Sequence, residues 1–188
     1  MTGRRRRLGR TLSLGPPVGE PWSWMTRTML GSITYQSLGI HARRILDFLV
    51  SEHASHAGRE NGNLAAPYAQ LEAWGVTSAD VRKGFAELTA TGFVELTHQG
   101  LRQAGGGEPS RYALTWLPTL AGSPSQAAPS HAWKVVLAGM HRKEAGDVRA
   151  TRAWLKREIA GSFGPRKKAP PTPRLEVVSP IIRAARGT

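Results

Sequence analysis

The sequence predicts an α+β fold, mainly helical, and three patterns carry that expectation. Apolar residues recur at spacings of three and four through residues 38–54 and again through 77–90, as in amphipathic helices. Two shorter stretches, "FVELTH" (93–98) and "RYALTWL" (111–117), alternate apolar and polar residues as half-buried strands do. The length, 188 residues, suits one domain with appendages.

The elements follow in order. Leu38, Ala42, Ile45, Leu46, Leu49 and Val50 form the apolar stripe of the first helix. Asn61-Gly62 is a turn signal that leads into a short extended piece. Pro67 suits the first turn of a second helix, with Tyr68, Leu71 and Trp74 on one face. Gly75 is its left-handed stop. Thr77 then caps a third helix, with Asp80 three residues on as a short-carboxylate variant of the capping box. Val81, Phe85 and Leu88 give that helix its buried stripe, and Gly92 ends it. Between the two strands, "QGLRQAGGGEPS" is too long and glycine-rich for a tight hairpin turn. Helix, short strand, helix, turn, helix, strand, loop, strand is the order of a winged helix-turn-helix.

Around this region, expected over 22–118, the chain divides by composition. A basic arm expected to be disordered occupies 1–21, closed by the helix-breaking "LGPPVGEP". A Pro/Ser/Ala-rich linker spans 119–130 and a helical appendage 131–161. A basic tail, 162–188, includes the proline-rich "GPRKKAPPTPR" and is expected to stay extended or disordered. In the appendage, Asp147 starts a helix and Gly161 stops it. Val148, Leu155 and Ile159 line one side, and Arg149, Arg152 and Lys156 line another. Packing on the core ranks first for this helix, ahead of pairing with a second copy or lying along a phosphate backbone. Trp133 is expected to anchor the short segment before it.

Formal net charge is +13, which points to a polyanionic partner. The charge is not evenly spread. Residues 1–30 carry six arginines against Glu20, and 119–188 carry thirteen basic against four acidic side chains. Residues 31–118 carry seven basic and eight acidic, so the middle is neutral and the ends are basic. The chain has no cysteine, which excludes a disulfide scaffold, a thiolate metal site and a cysteine nucleophile. No apolar run approaches the ~20 residues that cross a bilayer. "LGRTLSLG" is too interrupted by polar residues for an export signal, so a cytoplasmic location is expected.

The texts "LDFLVSEHASHAGRENGNL", "YAQLEAWGV" and "YALTWLP" resemble the stretches "LxFLxxEHxxHxGxENGxL", "YxQLxxxGV" and "YxLTWLP" of helix-turn-helix proteins found in bacterial mobile elements. More broadly, the region is similar to winged-helix domains of bacterial regulators and of phage or plasmid replication proteins. The resemblance covers about residues 22–118. It implies that the helix over roughly 77–90 enters the major groove with Ser78, Ala79, Arg82, Lys83 and Ala86 outward. Arg82 is the candidate for guanine and Lys83 for a phosphate. Ser78, at the helix N-terminus, would offer a phosphate its hydroxyl and backbone N–H groups. Arg102 in the wing and Arg111 at its base are further phosphate candidates. Arg4, Arg5, Arg6 and Arg7 would attract phosphates without sequence preference, a role only slightly ahead of a solubilising tail. Asp80 and Glu87 on the same helix count against tight binding by this region alone.

Double-stranded DNA is therefore the expected partner, with a homodimer as an option. No membrane or small-molecule substrate is expected. The alternative is a protein- or RNA-interaction module on the same scaffold with basic tails. No cofactor is expected, and no metal, because His53 and His56 at i, i+3 lack a third ligand at recognisable spacing. "AGGGE" lacks the Gly-Lys-Ser/Thr ending of a phosphate loop, and no acid, base or nucleophile pairs up as an enzyme would need.

Overall fold

The computed structural model describes residues 19–101, 107–119, 127–140 and 146–162. Among them are seven helices and three strands: α1 (Arg27–Leu30), α2 (Ile33–Gln36), α3 (Ile40–Ser55), β1 (Leu64–Ala65), α4 (Tyr68–Ala73), α5 (Ser78–Ala90), β2 (Val94–His98), β3 (Arg111–Leu114), α6 (Ala132–Gly139) and α7 (Val148–Ser162). The fold is α+β, with helices dominant over one small antiparallel sheet.

The core forms where three helices meet the sheet. Ala42, Ile45, Leu46 and Leu49 of α3 pack with Leu71 of α4 and with Val81 and Leu88 of α5. Leu64, Phe93, Val94 and Leu114 close it from the sheet side. Strand order is β1-β3-β2, with Leu64 opposite Tyr112 and Val94 opposite Leu114. A register irregularity lies between Leu96 and His98, where the Thr97 hydroxyl donates to the Gly62 carbonyl at 2.7 Å.

Three helices end in one motif. At α4, Val76 N–H donates to the Leu71 carbonyl and Gly75 N–H to that of Glu72. At α5, Phe93 N–H donates to Leu88 and Gly92 N–H to Thr89. These are Schellman closures, and the turn residue must adopt positive φ, +78° at Gly75 and +73° at Gly92. The apolar partners that accompany the motif, Leu71 with Val76 and Leu88 with Phe93, are all buried. The third closure ends α3, where Gly58 N–H donates to His53 and Ala57 N–H to Ala54. There the left-handed position is held by Ala57 at φ 52°.

Several details differ from the sequence pattern. The short α1 and α2 have no periodicity to betray them, and each is set by a cap, Thr26 accepting from Met29 N–H and Ser32 from Tyr35 N–H. On α4 only Leu71 is buried; Tyr68 and Trp74 are exposed, and Trp74 lies edge-on to Phe48. In β2, an edge strand, Val94 is buried but Leu96 is exposed, so the alternation buries only its first apolar residue. The strand pattern over 111–117 pairs only as far as Leu114.

Two helices beyond residue 130, α6 and α7, pack on this core. Trp133 of α6 stacks on Phe93, centroids 6.0 Å apart. The backbone of Ala132 and Trp133 crosses directly over Gly92, where a β-carbon would lie 2.7 Å from it. Asp147 caps α7 through the N–H groups of Arg149 and Ala150. α7 packs against α5 and α2 and buries Thr151, Leu155 and Ile159.

Candidate nucleic-acid interface

The position of α5 is set on its inner side by close approach to α3. Gly84 meets Ile45 and the backbone of His41 and Ala42, so a side chain there would collide with Ile45. Before α5, the Gly75 turn is braced by Arg44, whose guanidinium donates to the Gly75 carbonyl. The Thr77 hydroxyl does not accept a helix N–H; it donates to Asp80 Oδ2 at 2.6 Å, a variation on the expected cap.

Both acidic residues of α5 turn toward α3. Asp80 lies 3.4 Å from His41 Nε2. The Thr77 hydrogen bond holds its carboxyl below the usual carboxylate range, with His41 and Lys83 adding to the effect. Glu87 Oε2 accepts the Gly39 backbone N–H at 2.8 Å. Gly39 is the N-cap residue of α3, and Glu87 satisfies its own backbone N–H, the role that a first-turn carboxylate plays in a capping box. These charges therefore serve the α3–α5 junction, which changes the weight they had as opponents of an anionic ligand.

The residues expected to face outward are placed as follows. Ser78, Ala79, Arg82 and Lys83 are exposed, whereas Ala86 is half-buried, as are Glu87 and Ala90 on the turns beside it. The open part of α5 is thus its N-terminal half. Ser78 donates its hydroxyl to Glu72, so a carboxylate already occupies the position proposed for a phosphate. Arg82 lines a groove of about 810 Å³ between α5 and the β2–β3 loop, along with Tyr68, Phe85, Gln99, Ser110 and Tyr112. Phe85 and Tyr112 stack there, with centroids 4.2 Å apart, and burial raises the Tyr112 phenol pKa.

Arg111 is tied into the base of the loop. It donates to Asn63 and lies 3.3 Å from Glu108, which also pairs with His98 at 3.4 Å. This is an anchoring role that its spacing did not suggest. Arg102 and Arg4, Arg5, Arg6 and Arg7 lie outside the described residues.

Sequence reasoning missed Asn61. It is read from the sequence only as half of a turn, yet it is buried and spans two segments. Its amide reaches the carbonyls of Leu114, Leu117 and Pro118 at 3.0–3.1 Å, and its carbonyl accepts Leu114 N–H at 2.7 Å. Its sequence signals were an Asn-Gly pair flanked by polar residues, which a plain turn shares, and its fixed place in the "ENGxL" text of the resemblance, which names no partner.

Among the described residues, no three His, Asp or Glu side chains gather as a metal site requires, and no helix is long and apolar enough to cross a membrane. Comparison with known protein families, curated proteins and solved structures gave no match, so the resemblance to helix-turn-helix proteins rests on the motif residues quoted above.

Proposed function

We propose that this protein binds double-stranded DNA with some sequence selectivity, as a winged helix-turn-helix whose reading helix is α5 and whose wing is the β2–β3 loop. It acts in transcriptional regulation or in plasmid or phage replication control, in the cytoplasm, and carries no enzymatic activity. The observation that carries this reading is the makeup of the N-terminal half of α5. Arg82 and Lys83 stand exposed there beside the small Ala79, while Asp80 and Glu87 are engaged with α3. Helices of helix-turn-helix proteins contact base edges mainly through their N-terminal residues. The element order and the β1-β3-β2 sheet are in keeping with the same scaffold.

Arg82 makes the base contact and Lys83 a phosphate contact. Arg111 acts by holding the loop, and the basic ends of the chain supply most of the salt-sensitive affinity. Genome-wide DNA capture followed by titration of a recovered site tests the reading. Arg82→Ala should cost about 1–3 kcal/mol and relax preference at one base pair. Arg82→Ala with Lys83→Ala leaving both affinity and site choice unaltered would favour a protein- or RNA-docking role for the same scaffold.

A further inference from the structure

We propose that α7 is a second DNA-contacting element, one that grips the phosphate backbone on the flank of α5 away from the β2–β3 loop. The proposal rests on the reading of α5 as the helix that enters the major groove, and it assigns a ligand to a surface that reading leaves unused.

Two contacts place the start of α7. Glu87 of α5 holds Gly39 at 2.8 Å, and two residues earlier the Ser37 hydroxyl, whose proton goes to the Ile33 carbonyl at 2.7 Å, lies 3.3 Å from the Val148 carbonyl in the first turn of α7. The start of α7 therefore lies on the Glu87 side of α5. Arg82 and Phe85 mark the opposite side, facing the β2–β3 loop across the groove. At 3.6 residues per turn, Arg82 and Glu87 stand about 140° apart around the helix, and Ala79, Lys83 and Ala86 fall on the arc between them. The open arc of α5 is bracketed by the loop on one flank and α7 on the other.

A helix about 10–12 Å across fills a major groove about 12 Å wide, so its flanks meet the two phosphate rails. The loop is placed for one rail and α7 for the other. The surface of α7 suits that position. Thr151, Leu155 and Ile159 are buried against the core, and the parallel row Arg149, Arg152 and Lys156 is exposed. That row extends about 10 Å along the helix axis. Glu158 is the single acidic residue of α7. An extended row of cations beside a helix that carries Arg82 and Lys83 is complementary to a polyanionic rail.

The test uses the full chain and a mixed-sequence duplex of about three helical turns, titrated by anisotropy over a series of salt concentrations. Arg149→Ala, Arg152→Ala and Lys156→Ala together should flatten the plot of log affinity against log salt by roughly two to three units, since each lost phosphate contact removes about 0.9. The melting temperature should hold, and Arg149→Lys with Arg152→Lys should keep the wild-type slope. The chain has no cysteine, so a photo-crosslinker on Ala153→Cys reports position directly. It should capture the duplex where one on Arg59→Cys does not. An unchanged slope in the triple alanine variant, or no capture from position 153, overturns the proposal. Failure of the underlying reading shows differently: either the wild-type chain ignores duplex DNA, or Arg82→Ala with Lys83→Ala binds as wild type while the α7 variant does not.

Discussion

Glu87 on α5 and Gly39 ahead of α3 are 48 residues apart and joined by a carboxylate–amide hydrogen bond of 2.8 Å. The bond makes one helix's surface charge the N-terminal cap of another. An acceptor at a helix start satisfies an otherwise orphaned N–H and meets the positive end of the helix dipole. Glu87→Ala should lower stability by about 1 kcal/mol, while Glu87→Gln, which keeps an acceptor, should lose less. Urea unfolding midpoints measure both. Equal losses for the two variants would mean that the carboxamide cannot replace the cap.

Ala57 offers a gain. It occupies the left-handed position that glycine fills at the ends of α4 and α5. A β-carbon there costs roughly 1–2 kcal/mol, partly offset because glycine also frees the unfolded chain. Ala57→Gly should therefore stabilise the protein by several tenths to about 1 kcal/mol, read as a raised melting temperature. A lowered one would show that unfolded-chain entropy outweighs the strain.

Asn61 should be among the least replaceable polar residues. Asn61→Ala takes the acceptor from the buried Leu114 N–H and removes the amide that donates to the Leu117 carbonyl, while the Leu114 carbonyl keeps the Leu117 N–H. A loss of about 1–3 kcal/mol is expected in denaturant titration. Asn61→Asp should cost more, because it sets a carboxylate against carbonyl oxygens.

His53 predicts an acid sensitivity. Burial lowers its pKa below the ordinary 6.5, with His56 adding to the effect and the Gly58 backbone opposing it. The unfolded chain then binds the proton more readily than the folded one. The contribution to stability is complete above about pH 6.5 and is lost as pH falls through the folded-state value. Stability measured at about pH 7.5 and 5.5 should fall on acidification, and His53→Leu should reduce that fall. An identical pH profile in the variant would assign the acid sensitivity to other groups.

Much of the framework was legible because it is local. The apolar spacing of α3 and α5, the stops at Gly75 and Gly92 and the Asp147 cap each involve residues a few positions apart. What escaped was long-range or too short to have a period. Glu87 read as a face charge because its partner, a backbone N–H of Gly39, has no sequence signature. Arg111 read as a phosphate contact because nothing nearby announced Asn63 as its acceptor. Tyr68 and Trp74 had the spacing of a buried face, but α4 is only six residues long and Leu71 alone reaches the core. In the candidate interface, the outward residue types were legible, whereas the half-burial of Ala86 and the hold of Glu72 on Ser78 depend on tertiary packing.

The backbone crossing above Gly92 bears on how this protein can be dissected. Trp133 shields Phe93, and α7 shields part of α5, so a fragment ending in the 119–130 stretch would carry a raw apolar wound where those elements had lain. Such a fragment should aggregate or melt early, and a weak DNA affinity measured on it would report damage. A fragment meant for dissecting recognition must keep α6 and α7, through Ser162 at least.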